Sequence, residues 1–387
     1  MRNSPGVTAI VLVGGRALRM RPLSLGKDKC MISFMGRPLL LHLIKSLSFH
    51  GISDIVLASR GRHGEIADYF SDGSSLGVSI RYYQPGRQKF FGTAGAVRAI
   101  KDSLADSVSD LLLVIYGDSL IDADYSSLLN SHAEAGTLCT ILYHRPDFGS
   151  FLYEGHDITN YDGEPRTNYG VMDVEMGGKI TKVVEKEEIA KIATEYSNPV
   201  ANAAVYVLEK RLLDLVPADR DFDFPRDLFP LLMEKDVSCR GFDVGDGYRM
   251  DIGTLQSYYS TQLAILRGGI RFGHCYPLVA PGVWMGENNT IDSAVQLSSP
   301  VSIGDNCAIG SKSRIVNSVI GNNVTIGDGC VVLASVVQDN VVLCPGSAIS
   351  QSIIGEDTEI GVSVILPPLT VLGAHCSVSC DAIRPGS

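Results

Sequence analysis

Gly14 and Gly15 close a short apolar stretch and lead into Arg16, Arg19 and Arg21, with Lys27 and Lys29 close behind. Paired glycines let a backbone pass near a ligand and point amide N–H groups at it. Together with those cations they form a site suited to a polyphosphate. The spacing is not that of a Walker loop: Arg21 stands where its leading Gly belongs, and Asp28 follows Gly26-Lys27 in place of Ser or Thr. It is not a dinucleotide G-x-G-x-x-G either. The same residues also read as a basic, solvated turn after an edge strand, and composition does not separate the two. The net charge is −10, so any phosphate must be met by local positive charge against an acidic whole. That balance, without a basic stripe, excludes a nucleic-acid binder.

The elements that would carry this loop alternate. Val7 to Val13 reads as a strand, Leu39 to Phe49 as an amphipathic helix, Ile55 to Ala58 as a strand and Gly64 to Phe70 as a helix. Val78 to Tyr83, Gly95 to Leu104 and Leu111 to Tyr116 continue as strand, helix and buried strand. Such alternation predicts β-α-β units and a mostly parallel, Rossmann-like α/β sheet, whose ligands bind beyond the carboxyl ends of the strands. Thr254 to Arg267 predicts a helix ending at Gly268-Gly269, so a first domain is expected over 1–267 and a second over 268–387.

The second domain is repetitive. Aliphatic residues recur in steps of five and six from Ile291 to Ile360, and Ile303, Ile320, Val337 and Ile354 are 17 residues apart. Ser318, Ser335 and Ser352 keep the same interval. One aliphatic residue per short strand, three strands per coil, predicts a triangular parallel β-helix with a stacked core. A sandwich of short strands would not hold so many positions in register. The spacing resembles the left-handed β-helix of hexapeptide-repeat proteins.

The run LVGGRALRMRPLSLGKDKC resembles the signature of the sugar-1-phosphate nucleotidylyltransferases, L-x-G-G-x-G-T-R-L-x-P-L-T followed by P-K-P. Gly14, Gly15, Arg19, Pro22, Leu23 and Lys29 match it. Later segments resemble family motifs in the same order: Gly92-Thr93-Ala94-Gly95, Tyr116-Gly117-Asp118, Tyr169-Gly170 with Glu185-Lys186, Asn202-Ala203-Ala204-Val205-Tyr206, and Asp251-Ile252-Gly253-Thr254. The opening motif and the tail look most like mannose-1-phosphate guanylyltransferases, with uridylyl and thymidylyl relatives close by.

The resemblance implies that a nucleoside triphosphate and a sugar-1-phosphate, or a cyclitol phosphate, give an NDP-sugar and pyrophosphate. The attacking phosphate oxygen is already ionised, so charge neutralisation and alignment are needed rather than a protein nucleophile. It implies Mg²⁺ on Asp118 and Asp251, triphosphate contacts from Gly14, Gly15, Arg16, Arg19 and Lys29, and a nucleobase against Gln84, Gly92 and Thr93. Lys186 would take the sugar phosphate, and Gly170, Glu185 and Asn202 the sugar. A non-catalytic homologue sensing nucleotide-sugar is the alternative. The altered loop motivates it, with Ala17 and Leu18 for family Gly-Thr and Asp28 and Cys30 around Lys29, while Ala204 for Gly near the sugar motivates the cyclitol-type acceptor.

Some hexapeptide helices transfer acyl groups with a His base, but His274 and His375 near the tail's ends read better as surface residues. The tail is expected to join subunits into a homo-oligomer. Nine cysteines without a C-x-x-C pair read as reduced thiols in a cytoplasm, and no apolar run is long enough for a membrane span.

Overall fold

The structure is a computed structural model that describes residues 6–14, 17–59, 64–84, 92–145, 167, 169–185, 187, 189–245, 247, 249–270 and 275–379. They form two compact units: Met1–Gly14 with Leu43–Arg249, and Gly15–His42 with Met250–Ser387. The early segment Gly15–His42 therefore belongs to the same unit as the C-terminal repeats.

The first unit is built on one mixed sheet. Its strands are β1 (Val7–Leu12), β2 (Asp54–Ala58), β3 (Ser79–Tyr83), β4 (Leu111–Tyr116), β5 (Cys139–His144), β6 (Val171–Val174), β7 (Ile180–Val184), β8 (Pro199–Glu209) and β9 (Cys239–Asp243). The order is β7-β6-β8-β4-β1-β2-β3, with β5 also on β8 and β9 on β5. Strands β4, β1, β2 and β3 are mutually parallel. Their middle members are nearly continuous apolar runs, as strands covered on both faces must be. Strand β8 runs antiparallel to β4, β5 and β6. It carries an irregularity between Asn202 and Tyr206, where Ala204 adopts φ 59°. The core gathers Ile10, Val56, Val97, Leu112, Val114, Ile141, Tyr206 and Phe229.

Helices follow the expected alternation over Leu39–Phe49 and Gly64–Phe70. The third begins at Gly92, three residues before the apolar pattern that predicts it, and ends at Leu104. The cause is a cap from far along the chain: Asp223 Oδ1 accepts from the Thr93 N–H at 2.7 Å and its hydroxyl at 3.0 Å.

In the second unit, successive coils stack as parallel strands. Ile303, Ile320, Val337 and Ile354 pair in one column, Ile315, Val332 and Ile349 in a second, and Ile309, Ile326, Leu343 and Ile360 in a third. All eleven side chains are buried, which is the triangular core the 17-residue period predicts. The serines make an axial ladder: the Ser335 N–H donates to Ser318 Oγ and the Ser352 N–H to Ser335 Oγ, each at 3.1 Å. At one corner Asn306, Asn323 and Asn340 hold left-handed φ values of 56–60°. Their side-chain amides link coil to coil and end on Asp357. Asn tolerates this conformation better than most residues, and its amide supplies both a donor and an acceptor to the stack. A helix over Leu255–Leu266 packs on the coils, started by a capping box of Thr254 and Ser257. No helix among the described residues is long and apolar enough to cross a membrane.

Candidate active site

Register places the four parallel strand ends side by side in the first unit: Tyr116 lies opposite Leu12, Leu12 opposite Ala58, and Ala58 opposite Tyr83. Gly14, Asp118 and Gln84 therefore leave the sheet at one edge. The order β4-β1-β2-β3 reverses direction between β4 and β1, and the crevice at such a point is where open α/β sheets bind ligands. The loops bearing Gly14 and Asp118 flank it. Gly117 donates its N–H to the Leu12 carbonyl at 3.0 Å. A Cβ on Gly117 would lie 2.7 Å from Val13 Cγ1, so glycine here lets the Asp118 loop lie against strand β1.

Asp118 is half-exposed, and Tyr116 beside it turns its phenol inward. Burial, with help from the carboxylates of Asp223, Glu185 and Asp118, pushes that phenol's pKa well above its ordinary value. It stays protonated at any physiological pH and can donate a hydrogen bond. The ring stacks edge-on against Tyr206, with centroids 6.3 Å apart.

Next to this group, Gly170, Glu185 and Asn202 converge. A Cβ on Gly170 would stand 3.1 Å from Glu185 Oε2 and 3.6 Å from Asn202 Nδ2. Asn202 is buried in the irregular stretch of β8. Its Oδ1 accepts from the Ala204 N–H at 2.8 Å, and its Nδ2 donates to the Tyr206 hydroxyl at 3.2 Å. The side chain thereby holds open the bulge in which it sits, and bulges of this kind re-aim side chains next to active sites.

Within the second unit, Arg19 is exposed on a 3₁₀ turn over Leu18–Met20, and Lys29 starts another over Lys29–Met31 and is largely buried. The first turn begins at Ala17, which adopts φ 43° and ψ 38°. Ser24 donates its hydroxyl to the Ala17 carbonyl at 2.8 Å and pins that conformation. Both alanines that stand in for family glycines, Ala17 and Ala204, thus keep the left-handed backbone that glycine would adopt without strain.

Residues 8–150 and 153–268 match the nucleotidyl transferase family, and residues 281–383 match the EIF2B subunit epsilon LbH domain, a left-handed β-helix. The chain belongs to the nucleotidyl transferase family. Among its relatives is a UTP–glucose-1-phosphate uridylyltransferase of Synechocystis, 26% identical over 81% of this chain and 82% of that one. A putative mannose-1-phosphate guanyltransferase of Sulfolobus acidocaldarius is 29% identical, over 81% and 76%. A probable mannose-1-phosphate guanylyltransferase of Oryza sativa is 28% identical, over 78% and 74%.

As a nucleotidyltransferase, the chain keeps Gly14, Gln84, Gly92, Thr93, Tyr116, Asp118, Gly170, Glu185 and Asn202 in one unit, and Arg19 and Lys29 in the other. Gly15, Arg16, Lys186 and His274 lie outside the described residues, as does the Asp251 side chain. Gln84 is exposed at the end of β3. Thr93 commits its N–H and hydroxyl to Asp223, and its oxygen accepts the Phe224 N–H at 3.2 Å. Gly92 has no room for a side chain, since a Cβ would meet the Phe222 carbonyl at 2.6 Å. Two residues went unassigned in the sequence. Tyr116 opens the Tyr116-Gly117-Asp118 segment, and the resemblance gives it no role there. Asp223 gave no signal, because it precedes a π-helical turn, Phe224–Leu228, with no periodicity of its own.

Proposed function

We propose that this nucleotidyltransferase joins a nucleoside triphosphate to a sugar-1-phosphate, releasing pyrophosphate and an NDP-sugar. The observation that carries the reading is the convergence of Gly170, Glu185 and Asn202 beside Tyr116 and Asp118 at the carboxyl edge of the parallel strands. Acceptors for sugar hydroxyls there adjoin a carboxylate suited to a cation. A phosphate oxygen of the sugar-1-phosphate attacks the α-phosphorus as the bond to the departing pyrophosphate breaks. No proton need move, so alignment and charge carry the catalysis.

Arg19 would hold the terminal phosphates with its planar fork of donors, and Lys29 would offset charge at the α-phosphate. Gly14, Gly15 and Arg16 would line the triphosphate, and Gln84, Gly92 and Thr93 would face the base. Lys186 would meet the sugar phosphate. Asp118 fits Mg²⁺ by its chemistry, since that ion binds through one or two carboxylates and fills its remaining positions with water and phosphate oxygens. Asp251 is the second carboxylate of this reading. The ion, when bound, neutralises phosphate charge.

Guanine is the favoured base and mannose-1-phosphate the favoured acceptor, because two of the three relatives described above are named for that pair. Uridine with glucose-1-phosphate is the first rival, and Ala204 beside Asn202 keeps an altered sugar or a cyclitol phosphate on the panel. The family matches support a catalytic domain ending near residue 267 and a β-helix domain after it. Exposed Ile365 and Leu369 support self-association through that β-helix, which sedimentation of the full chain tests. Cys139, Cys239, Cys307, Cys330, Cys344 and Cys376 are thiols, which supports a reducing cytoplasm.

The test is pyrophosphate release with Mg²⁺, crossing ATP, GTP, UTP, CTP and dTTP against hexose- and cyclitol-1-phosphates. Turnover with one pair, lost on Asp118→Ala, is expected. Nucleotide-sugar binding without turnover by any pair would replace this reading with a sensor.

A further inference from the structure

In four successive coils of the β-helix, two adjacent corner residues face different tasks. The second of each pair, Asn306, Asn323, Asn340 and Asp357, bonds along the axis to its counterparts. The first, Asp305, Asn322, Asp339 and Glu356, forms a separate column 17 residues apart. Three of its four members reach directly to one stretch of the same unit, Pro22 to Arg37.

These contacts follow the coils in strict order. Asp305 Oδ2 accepts from Arg37 Nη2 at 2.7 Å. In the next coil, Asn322 Nδ2 donates to the Gly36 carbonyl at 2.8 Å. Asp339 supports that coil, accepting from the Asn322 N–H at 2.7 Å. In its own coil, Gln338 Nε2 donates to the Tyr258 hydroxyl at 2.9 Å, and that hydroxyl donates to the Ser33 carbonyl at 2.6 Å. Glu356 pairs with Lys27. One coil further, Gly373 lies so close to Pro22 that a Cβ would approach the proline Cβ to 2.9 Å.

Stacked strands are about 4.8 Å apart, so five corners span about 19 Å. Fifteen residues could reach about 50 Å if extended. The segment therefore has slack, and its path is set by its anchors rather than by its length. Gly36 shows how closely it is seated: it has φ +77°, and a Cβ would lie 3.0 Å from Tyr276 Cε2.

We propose that this corner column is a positioning rail for the segment that carries Arg19 and Lys29, with Glu356 the positioning residue for Lys29 through Lys27. The proposal rests on the reading above in giving those two cations their work on the triphosphate. An ion pair that still touches water, its side chains 21% and 22% exposed, adds little to stability. A reacting group misplaced by about 1 Å can lose on the order of a hundredfold in rate. Glu356 should thus matter far more for turnover than for folding.

The experiment compares full-length wild type, Glu356→Gln, Lys27→Met and the charge swap Lys27→Glu with Glu356→Lys. For each we would measure kcat, the KM for sugar-1-phosphate, the melting temperature and deuterium exchange of the amides of residues 17–32. Either single variant is expected to lower kcat about tenfold. It should leave that KM and the melting temperature nearly unchanged and speed exchange in 17–32. The swap should recover most of the lost kcat. Wild-type kcat in both single variants overturns the proposal. So does a loss that tracks the melting temperature and is not recovered by the swap. If wild type turns over no substrate pair, the functional reading fails by itself. Exchange then decides the positioning claim, and protection unchanged in Glu356→Gln overturns it.

Discussion

In the β-helix, residues 17 apart meet the same surroundings. Ile303 and Ile320 face the same axis, Ser318 and Ser335 extend the same ladder, and Asp305 and Glu356 point at the same segment. In the mixed sheet no two members of the polar cluster share an environment. Asp118 follows a parallel strand, Glu185 an antiparallel one, Asn202 sits in a bulge, and Asp223 caps a helix that begins 131 residues earlier. Repetition lets one local rule build a long, stiff surface. A cluster able to do chemistry needs different geometries at one place, and only an irregular fold supplies them.

The largest effect that would sharpen this contrast is catalytic. Asp118→Ala should lower pyrophosphate release roughly 10²–10³-fold, the loss expected when a group meeting transition-state charge is removed. Circular dichroism should be unchanged. A variant within tenfold of wild type would place the cation elsewhere.

The next is a matter of spread. Ile303→Val, Ile320→Val and Ile354→Val should each destabilise by about 0.5–1.5 kcal/mol, and agree within about 0.5 kcal/mol, because their sites repeat. Ile10→Val, Ile115→Val and Ile141→Val, in unlike sites of the sheet, should scatter more widely. Equal scatter in urea unfolding would break the comparison.

Ala17→Gly and Ala204→Gly should each stabilise by up to about 1 kcal/mol. Relief of left-handed strain of about 1–2 kcal/mol is offset in part by glycine's greater backbone entropy. Neither gain has a counterpart at the corners occupied by Asn, where the left-handed region is better tolerated.

The smallest effect is electrostatic. Burial raises the pKa of Asp339 above the ordinary aspartate value, with Glu356 adding to the rise and the Asn322 donors and Lys27 opposing it. The folded chain therefore holds this proton more tightly than the unfolded one. The contribution is fully present below the unfolded pKa and is lost as pH rises through the folded value. Asp339→Asn should raise the melting temperature at pH 7, and the gain should shrink as pH falls below the unfolded aspartate pKa. A gain independent of pH would assign the effect to hydrogen bonding instead.

These contrasts also explain what could be read before folding. Ile303, Ile320, Val337 and Ile354 announce the solenoid because one period repeats. Leu111–Tyr116 announces a central strand because it is apolar throughout. The helix start at Gly92 was hidden, since its cap, Asp223, comes from an unrelated part of the chain. Asp305, Asn322 and Glu356 each follow a glycine, as turn residues do. Their partners at 22–37 are up to 329 residues away, and nothing local marks them. Ala17 and Ala204 were legible as substitutions, but their retained left-handed backbone was not.

A solenoid lengthens or shortens most simply by gaining or losing a whole coil, and its own stacking is indifferent to the change. Excising residues 321–337 would bring Ile320 onto Ile354 and leave every remaining ladder intact. It would also leave Gly36 without Asn322 and move Gln338 one coil away from the Tyr258 hydroxyl, while Lys27 and Arg37 were drawn toward each other by one strand spacing. Coil number in this lineage is thus under a restraint that the β-helix alone does not impose, and variation in length should collect beyond Gly373 or before Asp305.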